Sequence, residues 1–352
     1  MSNVAADPET APPTHPLQRD WHVAFVMSPR IGDTLISMVV VQNLVRQGWR
    51  VTVFSDHLRA LEAWFPGFDI RPRFTSKQAR RHLAGTDVVL HAYAADVVGD
   101  VRQWHPRAWV MDEWAVYRQV KPMVDIQLDV CRHALGLHHA TRHNGLVVPG
   151  ALRIDVVRNR VIIHPTASAL HKQWLPIKFL DLARRLRDAG YEPCFVVAPA
   201  ELISWRWVER HGFRVAAHGS LGDLAAWLIQ AGLFIGNDSG LAHLASNVGV
   251  PAISLAMRPS IARRWAPGWA PSIALTPLPL LPGRWLKEAC WKYLLPVSKV
   301  MGAVDRLRVR MAGSEREFGV DVRPRLTAPV HQVANGDPLS PLAAKVSKRS
   351  TG

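Results

Sequence analysis

The sequence predicts an α/β protein made of two halves, each an open parallel sheet with helices on its faces. Three observations lead to that class. Short apolar runs rich in Val and Ile alternate with amphipathic helical patterns from Trp21 onward, the mark of βαβ units. The alternation starts afresh beyond Pro149 and Gly150. The apolar runs end in Gly, Asp, Ser or Thr just where helices begin, which is where open sheets of this kind hold ligands. With 352 residues, the chain has room for two domains.

The first half opens with HVAFVMS (residues 22–28), a buried strand. Leu35, Ile36, Val39, Val40 and Leu44 then recur at helical spacing, and Gly48 supplies the stop. VTVF (51–54), DVVLH (87–91) and AWVM (108–111) read as the next strands. In the second half VIIHP (161–165) is a strand. LPIKFLDLARRLRDAG (175–190) is an amphipathic helix with Phe179, Leu180, Ala183 and Leu186 on one side and Gly190 at its end. CFVVA (194–198) follows as a strand. SLGDLAAWLIQAG (220–232) begins with a capping pattern, Ser220 to Asp223, and is expected to stop at Gly232. LFIG (233–236) and AISL (252–255) complete the set.

Residues 1–20, polar and Pro-rich, read as a flexible lead without a signal core. Residues 21–150 and 151–305 read as two Rossmann-like domains whose strand C-termini face one cleft. Residues 306–352 read as a largely disordered basic tail.

Composition narrows the function. The chain carries 43 Lys+Arg against 28 Asp+Glu, a net charge of +15, which favours anionic partners such as phosphorylated substrates or an acidic membrane face. The basic residues are scattered and no nucleic-acid-binding motif is present, so no nucleic-acid partner is expected. Cys131, Cys194 and Cys290 lie far apart without CxxC or Cys/His spacing. Neither a zinc site nor a disulfide framework is indicated, and the cytoplasm is the expected compartment. No run reaches the roughly 18 apolar residues of a membrane span; residues 31–45 are too few and include Asp33, Gln42 and Asn43. Arg, Lys and Trp are dense in residues 258–271 and 280–295. That mixture suits either core packing or the interface of an anionic membrane.

Four places carry candidate chemistry. In SPRIGDTLIS (28–37), Gly32 permits a tight backbone and Asp33 sits near a helix N-terminus, either as a helix cap or as a base for a substrate hydroxyl. In HPTASALHKQW (164–174), Thr166 and Ser168 are small hydroxyl residues and Lys172 is a point charge. The set fits phosphate oxygens as well as an ordinary surface loop. In GNDSGLAH (236–243), Asp238, Ser239 and Gly240 mark a strand-to-helix junction whose free amides form an anion site. His243 falls one turn inside that helix, as a hydrogen-bond partner or a catalyst. Glu201, beyond the strand at 194–198, is placed either to take ribose hydroxyls or to start a helix.

Taken in order, GDTL (32–35), HPTASALHKQWLPIKFLDLARRLRDAG (164–190), APAE (198–201) and GNDSGLAHLASNVGVPAISL (236–255) resemble glycosyltransferase family 9. These are the heptosyltransferases and related enzymes of bacterial lipopolysaccharide assembly. The likeness runs from about Val23 to Asp305 and includes CWKYLLPVSKVMGAVDRL (290–307). Its most specific part is Asp-Ser-Gly-x-x-His followed by Gly-x-Pro.

The resemblance implies a GT-B fold, a nucleotide-sugar donor, commonly ADP-heptose, and inverting transfer without a metal or other cofactor. It implies that Asp33, next to Gly32 in a flexible loop, is the general base and Lys172 the phosphate-binding lysine, with Thr166 and Ser168 beside it. Glu201 matches a ribose-binding acid, and Asp238, Ser239, Gly240 and His243 match the donor-binding motif. A lipid-linked or lipopolysaccharide acceptor follows, with transient contact at the cytoplasmic face of an anionic inner membrane. Two other readings keep the fold. A non-catalytic nucleotide-sugar-binding module would be expected to have lost Asp33 or Lys172, and a sugar-nucleotide epimerase would need no acceptor.

Overall fold

The structure, a computed structural model, describes residues 17–94, 96–278 and 284–318. The first sheet contains β1 (His22–Val26), β2 (Arg50–Phe54), β3 (Asp69–Arg71), β4 (Val88–His91) and β5 (Ala108–Val110) in the order β3-β2-β1-β4-β5. The second contains β6 (Val157–His164), β7 (Glu192–Val196), β8 (Arg214–Ala216), β9 (Ala231–Asn237), β10 (Ala252–Leu255) and β11 (Ser272–Leu275) in the order β11-β10-β9-β6-β7-β8. Every pairing is parallel. Helices α1 (Ile31–Arg46), α2 (Asp56–Arg59), α3 (Ser76–Leu83) and α4 (Met123–Asp129) belong to the first half. The second half has α5 (Pro176–Asp188), α6 (Leu202–Trp205), α7 (Leu221–Leu228), α8 (Gly240–Asn247), α9 (Pro259–Trp265), α10 (Arg284–Leu294) and α11 (Val297–Phe318).

The strand orders place the site. The chain winds outward from β1 to β2 and β3, then returns to add β4 on the other side of β1. It does the same around β6, with β7 and β8 on one side and β9 on the other. Each reversal leaves a crevice at the carboxyl ends of the central strands, where neighbouring crossovers diverge. The β1–α1, β6–α5 and β9–α8 junctions all open at these two switch points.

The sequence reading finds eight strands and misses β3, β8 and β11, three short sheet-edge strands whose apolar runs are broken by Asp69, Arg71, Arg214 or Ser272. Gly48 and Gly190 do stop their helices, at φ +96° and +84°. Gly232 has a different role from the expected one. The helix begun by Ser220, whose hydroxyl accepts the Asp223 amide, ends at Leu228, and Gly232 lies inside β9. A Cβ there would sit 1.9 Å from the Arg158 carbonyl oxygen, so this glycine permits the close approach of β6. The expected fading of structure after residue 305 is also corrected, because α11 continues to Phe318. Residues 319–352 and 1–16 of the expected tail and lead lie outside the described residues. The last part of the lead is docked: Leu17 is buried, and the Gln18 carbonyl accepts the Trp49 indole N–H at 2.9 Å.

One apolar cluster joins the two halves. Helix α1 is buried almost all round, as a helix enclosed by protein must be. Its Leu35 and Val39 share a cluster with Leu244 and Ala245 of α8 and with Phe234 of β9. Smaller clusters fill the far face of the first sheet around Phe54 and Phe74, and the far face of the second around Trp174 and Phe179. A buried amide pair spans the seam. Asn144 donates to Asn247 Oδ1 at 2.8 Å and to the Leu35 carbonyl at 3.0 Å, and Asn247 donates back to Asn144 Oδ1 at 3.2 Å.

Candidate active site

The tips of α1 and α8 meet at two glycines. A Cβ on Gly240 would sit 2.1 Å from Ile31 Cγ2 and 3.0 Å from the Gly32 nitrogen. A Cβ on Gly32 would sit 2.9 Å from His243 Cδ2. Glycine is therefore required at both positions by close approach, and Gly32 acts here as a packing residue. Two helix N-termini, with their free amides and positive dipole ends, thereby open into one space.

That space is a cavity of about 370 Å³. Asp33, Gly32, Arg30 and His57 line it from the first half, and Ser168, Lys172, Asp238, Ser239, Gly240, His243 and Trp265 from the second. Eight of the ten residues singled out in the sequence are among them. Thr166 and Glu201 are not: the Thr166 hydroxyl donates to Glu201 Oε2 at 2.9 Å, and the same oxygen accepts the Ala198 amide at 3.0 Å. They form a pair on the adjoining side of the β6–α5 loop, with Thr166 buried.

Asp33 lies in the first turn of α1 and is buried. The Ser28 hydroxyl donates to its Oδ2 at 3.0 Å, and the Arg30 guanidinium stands 4.0 Å away. Burial raises its pKa above the ordinary carboxylate value, opposed by the Ser28 bond and by the charges of Arg30 and Lys172. Asp238 is pushed further, to about 6, by burial, with Lys172 pulling it down and Asp33 pushing it up. The two acids thus share one cation. His243 is buried, and burial lowers its pKa to about 4, so its ring is neutral at pH 7. Among the described residues its Nδ1 has no hydrogen-bond partner, and neither has the buried Ser239 hydroxyl at the N-cap of α8. Neutral donors, a helix N-terminus and a lysine together make a place for an anion.

Sequence reasoning overlooked several residues around this cavity. Arg30, His57 and Trp265 reach it from loops or helix ends with no motif of their own, and Ser28 bears on it through its bond to Asp33. Ser28 alone had a usable signal, as a hydroxyl at the carboxyl end of the first strand.

Residues 90–274 match the model of "Glycosyltransferase family 9 (heptosyltransferase)". The chain belongs to glycosyltransferase family 9. It is thus a glycosyltransferase, and its paired parallel sheets are the GT-B fold. The matched span holds Thr166, Ser168, Lys172, Glu201, Asp238, Ser239, Gly240 and His243, whereas Asp33 precedes it. Solved structures of the same fold extend the likeness across the cleft. A family 9 glycosyl transferase from Veillonella parvula is 17% identical, with a TM-score of 0.62 over 84% of this chain and 99% of its own. The E. coli heptosyltransferase WaaC with ADP is 13% identical, with a TM-score of 0.60 over 81% of this chain and 99% of its own. The E. coli ADP-heptose lps heptosyltransferase II is 14% identical, with a TM-score of 0.57 over 82% and 99%. No curated protein sequence matches this family 9 transferase. Among its described residues, no helix is long and apolar enough to cross a membrane, and no group of three or more His, Cys, Asp and Glu could hold a metal ion.

Proposed function

We propose that this glycosyltransferase moves a sugar, heptose by the closest chemistry, from an ADP-linked donor to a lipopolysaccharide or related surface-glycan hydroxyl, with inversion and without a metal. The observation that carries the reading is the meeting of Asp33, Lys172 and the α8 N-terminus in one cavity. The ADP bound to E. coli WaaC and the ADP-heptose named for heptosyltransferase II favour that nucleotide and sugar.

In this reading the donor's diphosphate lies between Lys172 and the amides at Ser239 and Gly240, within reach of the Ser239 and Ser168 hydroxyls. The acceptor hydroxyl approaches the anomeric carbon from the first half, on the face opposite the diphosphate. Asp33 takes its proton as the new bond forms and the bond to the diphosphate oxygen breaks. Burial makes Asp33 a stronger base than an exposed carboxylate, while Ser28 keeps it oriented. Lys172 and the helix amides stabilise charge on the leaving diphosphate, each contributing on the order of 3 kcal/mol. The fixed lysine and helix amides there do the work a bound Mg²⁺ does elsewhere. Asp238 beside Lys172 holds a sugar hydroxyl, and Glu201 with Thr166 forms the ribose side. The acceptor's lipid anchor brings the protein to the cytoplasmic face of the inner membrane. Of the Arg-, Lys- and Trp-dense segments, Trp291 is buried and Trp265 and Trp269 pack against the core, and residues 280–283 lie outside the described residues.

Calorimetric titration with ADP, UDP and GDP, without metal, tests the donor. ADP is expected to bind best, and Lys172→Ala to weaken it at least about tenfold. Preference for UDP or GDP would move the substrate to another donor class, and failure of all three to bind would remove the nucleotide-sugar reading. Conversion of donor without any acceptor would favour an epimerase.

A further inference from the structure

Asn237 ends β9 and is fully buried, and it does not line the cavity. Its carboxamide closes the β6–α5 loop at both ends. Nδ2 donates to the Pro165 carbonyl at 2.7 Å, and Oδ1 accepts the Trp174 amide at 2.9 Å. Between those two bonds lie Thr166, Ser168 and Lys172. A second fastening holds the middle of the loop: the indole N–H of buried Trp291, on α10, donates to the His171 carbonyl at 2.8 Å. Within the loop, Gln173 Nε2 donates to the Ala167 carbonyl at 3.1 Å. Asn237 is also the residue that leads directly into Asp238, Ser239 and Gly240. One side chain therefore fixes the loop that carries Lys172 to the strand that carries the α8 N-terminus.

We propose that Asn237 is a positioning residue that sets the separation between Lys172 and the α8 N-terminus, and so the width of the diphosphate subsite. This rests on the donor reading above. The physical reason is twofold. Both amide groups of Asn237 are satisfied by buried backbone, so the loop cannot shift without orphaning a donor or an acceptor. A lysine's long stem would otherwise leave its charge free to wander, and small misplacements of a charge-stabilising group are costly in rate. Trp291 supports the same arrangement from α10 by holding the carbonyl next to Lys172.

The test is a mutant cycle. Asn237→Asp keeps the shape and the acceptor for Trp174, but sets an oxygen against the Pro165 carbonyl. ADP and inorganic pyrophosphate are titrated into wild type, Asn237→Asp, Lys172→Ala and the double variant, and Trp174 amide exchange is followed in each. The expected result is faster exchange at Trp174, affinity for both ligands reduced on the order of tenfold in Asn237→Asp, and a double variant no weaker than Lys172→Ala alone. Additive losses would mean that Asn237 does not act through Lys172 and would overturn the proposal. So would unchanged affinity with a loosened loop. If wild type binds neither ligand, the donor reading fails as well, which separates that failure from the other two. Should Asn237→Asp fail to fold, Trp291→Phe removes the bond to His171, together with some buried core volume, and carries the same expectation of non-additivity with Lys172→Ala.

Discussion

The β1–α1 and β9–α8 junctions are built alike and behave differently. Each takes a strand from a switch point into a helix, each has a glycine at the helix tip, and each puts an aspartate on the same cavity, Asp33 buried and Asp238 half-buried. Asp33 comes after its glycine, inside the first turn, where the Ser28 hydroxyl and the Arg30 charge answer its burial. Asp238 comes before the N-cap, where Lys172 is the charge that pulls it down and Asp33 pushes it up. Burial is common to both; the partners decide how far each pKa rises. The junction with a hydroxyl partner holds its carboxylate in one orientation, and the junction facing the lysine holds an acid whose pKa is raised to about 6.

The sharpest way to break that comparison is at Asp33, the proposed base. Asp33→Asn keeps size and the Ser28 contact but cannot accept a proton. Turnover is expected to fall about 10³-fold with ADP affinity unchanged, measured by transfer from ADP-heptose to lipopolysaccharide core and by calorimetry. Retained turnover would assign the base elsewhere.

A smaller effect is expected where the two junctions touch. Gly240→Ala places a methyl against Ile31 and the Gly32 backbone. A loss of about 1–3 kcal/mol is expected in urea unfolding, with weakened ADP binding as the helix tips part. Wild-type stability in this variant would mean that the tips are free to separate.

The last effect concerns Asp238. Its folded pKa, about 6, lies above the ordinary value of 3.8, so the folded state binds that proton more tightly than the unfolded chain. The stability this group confers is present below pH 3.8 and is lost as pH rises through 6. Asp238→Asn should therefore nearly match wild type near pH 4 and exceed it by on the order of 1–3 kcal/mol at pH 7, the upper figure being the full shift. An advantage of equal size at both pH values would show that the carboxylate's charge is not its cause.

How much of this could be read in advance depends on what signal a residue leaves. The long strands, the glycine stops at 48 and 190 and the capping serine at 220 were legible because local pattern alone fixes them. Gly232 misled, because a stop glycine and a close-approach glycine look the same until the neighbouring strand is in place. The cavity residues were legible as motifs, yet nothing local tells that Thr166 and Glu201 pair with each other while Ser168 and Lys172 face the cavity. Asn237 and Trp291 were invisible for a related reason: their partners are 72, 63 and 120 residues away.

The apolar cluster shared by α1, α8 and β9 has a consequence for how such enzymes diversify. Exchanging the whole first half for that of a relative would import a foreign α1 against a resident α8, and with it two mismatched glycine contacts. The segment after β5 is tied in as well, because Met111, Trp114 and Tyr117 share that cluster and Arg264 of α9 donates to the Tyr117 carbonyl at 2.6 Å. The plan of two similar halves is modular in topology; in heredity it behaves as one piece.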